Sequence, residues 1–234
     1  MTNNRAYVRQ RSGLCLNLLN PDPNDWTDED LAVGLARTFR WGGHSIWPLP
    51  LSVAQHSLTV LALARKAAQQ PLSPAEVLRE LLHDADEALI GGFDAISPLK
   101  PFLGQGFKDL TSRLQQAVFT RYGLTPWSEA EHKWHKHADI LAAASEAVHI
   151  AGWSQQEVRK VLEIQKTPLI EDPLTELYDC APWEPWTPDL AAERFLVMLA
   201  GKGHIDGKEK KAGEGRGERK RPPHPTTQVQ RAAS

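Results

Sequence analysis

The sequence predicts an all-α fold followed by a basic, low-complexity tail, and three observations predict it. Helix-start signals recur along the chain: Thr27, Ser73, Ser128 and Ser154 each stand three residues before an acid, and Ser52 and Thr187 offer a capping hydroxyl. Between these starts the apolar residues follow helical spacing, and no stretch shows convincing strand alternation. From residue 201 the chain turns to Gly, Lys, Arg, Glu and Pro with almost no large apolar side chain, a composition that cannot build a core. Residues 1–200 are therefore expected to form one helical domain, and residues 201–234 a disordered tail.

The elements follow in order. Residues 1–26 read as irregular, with a short extended piece from Leu14 to Leu19 ahead of Pro21-Asp22-Pro23. Thr27, followed by Asp28, Glu29 and Asp30, opens a helix that runs through Leu31, Leu35 and Ala36 to about Phe39. Arg40-Trp41-Gly42-Gly43-His44 ends it in a loop, and Pro48 and Pro50 keep the next segment extended. Ser52 caps a second helix, Val53 to about Gln69, with Val53, His56, Val60 and Leu63 near one face. Ser73-Pro74-Ala75-Glu76 starts a third, read as continuous through Leu81-Leu82-His83-Asp84-Ala85-Asp86-Glu87 to Gly91-Gly92. After a loop, a fourth helix spans roughly Phe107 to Tyr122, closed by Gly123. Ser128 opens a long helix to about Ala151, and Ser154 a shorter one to about Gln165. Residues 166–186 are proline-rich and irregular, with Trp183 and Trp186 packing back on the body, before a last helix from Thr187-Pro188 buries Leu190, Phe195, Leu196 and Leu199.

Composition excludes several classes. A formal net charge of −2 argues against nucleic acid or membrane as the domain's principal partner, and no apolar run is long enough to span a bilayer. Cys15 and Cys180 are far apart, which fits a reducing, cytoplasmic setting and excludes a thiolate zinc cage. The tail's runs Lys208-Glu209-Lys210-Lys211 and Arg219-Lys220-Arg221 leave weak contact with nucleic acid or an acidic partner as the alternative to a solubilising role.

The chemistry centres on His83-Asp84. Burying an imidazole and a carboxylate beside two leucines costs roughly 1–3 kcal/mol per unsatisfied group, so partners are needed. Adjacent helical residues point about 100° apart and can straddle an ion without enclosing it. His56 on the preceding helix and Asp139 on the long later one complete a set of two imidazoles and two carboxylates. Such a donor set suits a divalent ion such as Mn, Fe, Co or Mg, with positions left for water and substrate. Glu87 follows Asp84 by three residues and can orient or deprotonate the attacking water, or protonate the leaving oxygen. Arg40 offers a planar fork for phosphate oxygens and Trp41 a face for a base or sugar, with His44 and Lys100 as further phosphate contacts. His132, His135 and His137 read as a solvated basic helix start, with a second metal or a phosphate contact as the sharper alternative. Glu146 is placed to support the site or to pair with an arginine.

These segments resemble the HD-domain metal-dependent phosphohydrolases, and the bacterial 5′-deoxynucleotidase-like branch most. The resemblance rests on Phe39-Arg40-Trp41-Gly42-Gly43-His44, Ser52-Val53-Ala54-Gln55-His56-Ser57, Leu81 to Ala88, Ser97-Pro98-Leu99-Lys100, and Ala138-Asp139 with Glu146. It implies a helical bundle holding one divalent metal ion (Co, Mn, Fe, Mg or Zn) through His56, His83, Asp84 and Asp139. It also implies that Arg40 and Trp41 contact the nucleotide, and dimerisation follows from it alone. Asp94 stands for the family's Gly-Asp acid, in a longer stretch, Gly91-Gly92-Phe93-Asp94.

The expected activity is hydrolysis of a deoxynucleoside 5′-monophosphate, with Glu87 and Asp84 in the chemistry. Alternatives on the same site are removal of triphosphate from a deoxynucleoside triphosphate and hydrolysis of a guanosine alarmone. A di-iron oxygenase would need more histidine ligands. A non-catalytic nucleotide sensor, or a nucleic-acid-binding adaptor acting through the tail, is the reading from a different class.

Overall fold

Capping chemistry sets most of the helix starts where the sequence places them. In the computed structural model, which describes residues 5–96 and 98–201, helix α1 (Asp28–Arg37) opens on a capping box. The Thr27 side chain accepts from the Asp30 N–H, and the Asp30 carboxylate accepts from the Thr27 N–H. Ser52 caps α2 (Val53–Ala67), and boxes at Ser73, Ser128 and Ser154 start α3 (Pro74–Leu81), α6 (Glu129–His149) and α7 (Gln155–Lys160). Between them lie α4 (Ala85–Leu89) and α5 (Gly104–Tyr122), the latter ended by Gly123 in the left-handed region at φ 63°. A short α8 (Thr175–Tyr178) and α9 (Pro188–Ala200) complete the α-helices among the described residues, and 3-10 turns lie at Arg40–Gly43 and Lys100–Leu103. The fold is mostly helical, as expected, and none of its described helices is long and apolar enough to cross a membrane.

The main core gathers one face of α1, α2, α3, α4, α5 and α9, with Leu31, Leu35, Leu58, Leu61, Leu81, Leu82, Leu114 and Phe195 buried together. Helix α1 lies against α9 and α4, and α2 against α3 and α6. The approach of α1 to α4 is close enough to demand glycine, since a Cβ on Gly34 would stand 2.9 Å from the Ala88 Cβ. Trp183 and Trp186 are buried, as the sequence suggested, and both cysteines are free thiols.

Four local expectations are corrected. Cys15–Asn17 (β2) is extended within the piece expected from Leu14 to Leu19, but it pairs in an antiparallel hairpin with Tyr7–Arg9 (β1), a strand too short for alternation to show in the sequence. The stretch after Lys160 does not stay helical to Gln165, because Glu163 adopts φ 55° and its neighbours bond back to α7. The proline-rich segment contains α8. The third helix is not continuous: α3 stops at Leu81 and α4 begins at Ala85. A side chain explains the break, because the His83 Nδ1–H donates to the Glu80 carbonyl at 2.8 Å. That oxygen is the acceptor an unbroken helix would reserve for the Asp84 N–H. The expectation for the tail lies outside the described residues beyond Gly201.

Candidate metal centre

Two backbone links bring Arg40 to the start of α2. The Arg40 N–H donates to the Leu51 carbonyl and the Val53 N–H to the Thr38 carbonyl, each at 2.9 Å, so residues 40–51 form a closed loop. Helix α2 then delivers His56 into the interior, where it is fully buried. Its Nδ1–H donates to Glu146 Oε1 of α6 at 2.6 Å, while Arg40 Nε donates to the other Glu146 oxygen at 2.9 Å. Glu146 thus does both things the sequence offered it: it holds the site histidine and pairs with an arginine.

With both Nδ1 atoms committed to acceptors, the lone pairs of His56 and His83 lie on Nε2. The two Nε2 atoms face each other at 3.3 Å. Asp84 Oδ2 lies 3.1 Å from His83 Nε2 and 3.6 Å from His56 Nε2, and Asp139 Oδ1 lies 3.4 Å from His56 Nε2. Two imidazole lone pairs and the Asp84 carboxylate converge, with Asp139 beside His56, and such groups repel one another unless a positive charge sits among them. Within the protein alone a proton plays that part. Burial and Arg40 push the His56 imidazole down, but Glu146 and Asp139 outweigh them and lift it to about 9. Burial raises Asp84, yet the neighbouring imidazoles hold it far below the usual carboxylate range, and Asp139 behaves likewise. A divalent cation meets the same demand, and His56, His83 and Asp84 alone bring one ligand atom each within 4.8 Å of the others. The mixed nitrogen and oxygen donors, without thiolate, fit Mn, Fe, Co, Mg or Zn. Asp139 commits its second oxygen to Lys136 Nζ at 2.6 Å.

The remaining predicted residues divide into those around this point and those turned elsewhere. Arg40 Nη1 stands 3.8 Å from Asp84 Oδ2. Glu87, buried on α4, has Oε1 3.6 Å from Lys100 Nζ and a second oxygen with no hydrogen-bond partner among the described residues. Burial, then Asp84 and Asp94, push its carboxyl well above the ordinary range. Burial and Asp84 likewise push Asp86 up to about 7. Asp94 is half-buried and acts electrostatically on Arg40, Glu87 and Lys100, so it belongs to this neighbourhood. Trp41, in the left-handed region at φ 57°, packs its ring against the α6–α7 cluster of Ala144, Ala147 and Val158. His44 is exposed and caps the loop through its backbone N–H.

Of the three α6 histidines expected at a solvated helix start, His132 and His137 are exposed, and His135 is not. His135 is buried, its Nδ1–H donates to Glu80 Oε2 at 2.8 Å, and its ring lies 4.8 Å from that of His83. Glu80 therefore ties two histidines, one through its carbonyl and one through its carboxylate. An acid between Leu78 and Leu81, one turn before His83, is the sequence signal for this role. From His83 and Asp84 a cleft of about 650 Å³ runs between α5 and α6, bordered by Lys100, Lys108, His132 and His135.

No family model matches the chain. Over 158 residues it is 40% identical to an uncharacterized protein of Rhodobacter capsulatus, a stretch that covers 67% of this chain and 79% of that one. The chain belongs to that protein's family.

Proposed function

We propose that this chain is a metal-dependent phosphohydrolase of the HD type, acting on nucleotides and most readily on a deoxynucleoside 5′-monophosphate. One observation carries the reading: the converging Nε2 atoms of His56 and His83, with Asp84 and Asp139, at the head of a cleft bordered by lysines. The resemblance of the same residues to the HD phosphohydrolases gives that geometry its chemical direction.

A divalent ion held there supplies Lewis acidity to a phosphoryl oxygen and lowers the pKa of water. The chain's own residues do the rest. Arg40, anchored by Glu146, presents its terminal nitrogens on the Asp84 side and takes phosphate oxygens. Lys100, beside Glu87, offsets the charge of a bound phosphate. Glu87 holds its proton because it is buried among carboxylates, so it serves as the acid that protonates the leaving ester oxygen. This selects, from the roles the sequence left open to Glu87, the one its environment favours.

The test is a panel of nucleotides incubated with Mn, Co, Mg and Zn, with His83→Ala and Asp84→Ala as controls. Metal-dependent release of orthophosphate from deoxynucleoside 5′-monophosphates is expected, and both variants should lose it. Release of tripolyphosphate or pyrophosphate instead reassigns the substrate to a triphosphate or an alarmone. A protein that retains metal yet releases no phosphate group from any nucleotide is not a phosphohydrolase.

A further inference from the structure

The cleft below the metal centre carries two acceptors, one on its α5 wall and one on its α6 wall, beside the lysines that border it. His135 lines it, with a ring fixed on several sides: Trp127 stacks on it at 4.7 Å between centroids, His83 lies 4.8 Å away, and Nδ1–H is held by Glu80 at 2.8 Å. That last bond sets the tautomer and leaves the lone pair on Nε2. This atom has no hydrogen-bond partner among the described residues, and the side chain that carries it lines the cleft. Gln115, on the facing α5 wall, keeps a buried Oε1 that receives no hydrogen bond among the described residues. Acceptors without donors call for a ligand that brings O–H or N–H groups. An ionised phosphate brings none, and the contacts proposed for it are Arg40 and Lys100 at the head of the cleft.

We propose that this cleft is the sugar subsite and that His135 Nε2 accepts a hydrogen bond from the 3′-hydroxyl of the bound deoxynucleotide. The inference rests on the nucleotidase reading above. The deoxyribose of a 5′-monophosphate is joined to the phosphate through a single carbon, so it is the part of the substrate that falls next to His83. Its one free hydroxyl is at C3′. His135 is a binding residue in this account, and Glu80 a positioning residue that keeps the lone pair turned toward the ligand.

The experiment compares a 2′-deoxynucleoside 5′-monophosphate with its 2′,3′-dideoxy analogue, on metal-loaded protein. KM is read by phosphate release and affinity by equilibrium binding. Wild-type protein is expected to bind the analogue about tenfold more weakly, the worth of one well-placed hydrogen bond. His135→Phe keeps a ring against Trp127 and removes the acceptor, so the two ligands should then bind alike. Circular dichroism and metal content check that this variant is folded. If it is not, His135→Gln serves, and the ratio must fall. Equal affinities in the wild type, or a ratio that survives loss of the imidazole, overturns the proposal. So does a base preference that vanishes in His135→Phe while the 3′-hydroxyl makes no difference, since the acceptor then reads the base. Each of these leaves the nucleotidase reading standing, whereas absence of turnover on every nucleotide removes both.

Discussion

At the scale of single residues, Glu146 and Asp30 show how a buried carboxylate can organise what surrounds it. Glu146 is almost fully buried and holds His56 with one oxygen and Arg40 with the other. Glu146→Gln keeps the shape but removes the charge that stabilises both partners, and its amide can present an N–H where His56 needs an acceptor. Metal affinity, measured by competition with a chelating dye, is expected to fall about 10- to 100-fold, the usual cost of losing a histidine's orienting partner. Asp30 accepts from the Ser12 N–H at 2.8 Å and the Thr27 N–H at 2.9 Å. Burial raises its carboxyl, but these bonds outweigh it and the net shift is downward. A group whose folded pKa is depressed stabilises the fold fully above its unfolded value, near 4, and the contribution is lost as pH falls through the folded pKa. Urea midpoints should therefore drop more steeply below about pH 4 for the wild type than for Asp30→Asn. Parallel curves would show that Asp30 carries no such linkage. Glu146 and Asp30 also mark two grades of legibility. The Thr27-to-Asp30 box lies within four residues and can be read directly, whereas the Glu146 bond to His56 spans ninety positions and only the fold reveals it.

At the scale of elements, the break between α3 and α4 is what the chain's local signals did not disclose. Every residue from Glu76 to Ala88 is compatible with one helix, and the interruption depends on a side chain taking a main-chain acceptor. The same break gives His83 and Asp84 a spread that adjacent positions on a regular helix would not have. The Glu80 to His135 bond was hidden for a related reason, because it requires α3 and α6 to be neighbours. Helix starts, by contrast, were legible because a hydroxyl and an acid three positions apart act within one turn. The seat of α4 on α1 supplies a prediction. Gly34→Ala places a methyl 2.9 Å from the Ala88 Cβ and close to backbone atoms of that residue, which cannot rotate away. Alanine's helix preference returns roughly 1 kcal/mol, and overpacking of this kind typically costs about 1–3 kcal/mol. Net destabilisation of about 1 kcal/mol is expected in urea, with reduced turnover because α4 carries Glu87. A variant as stable as the wild type would show that α4 can shift freely.

At the scale of the whole molecule, the candidate ligands come from parts of the chain that lie far apart in sequence. His56 stands on α2, His83 and Asp84 in the turn between α3 and α4, Asp139 on α6, and Arg40 in the loop behind them. The resemblance picked out these residues from their order, but the charge they concentrate is a property of the assembled fold. In the unfolded chain the same groups are dispersed and hydrated, so an ion that binds them binds the folded state selectively. Linkage turns this into a measurable quantity. At a free metal concentration a hundredfold above Kd, stability rises by about 2.7 kcal/mol. For a chain of this size that corresponds to a melting temperature about 5–10 °C higher. Mn, Co and Zn titrated into chelator-treated protein should each raise Tm in the order of their affinities. His83→Ala and Asp84→Ala should also lower the metal-free Tm, because the imidazole–carboxylate contacts they remove are attractive, so each variant's metal response is read against its own metal-free value. Both should abolish most of the metal-induced rise. If wild type and variants respond equally, the ions bind elsewhere, and the clustered histidines and carboxylates serve only to hold α2, α3 and α6 together.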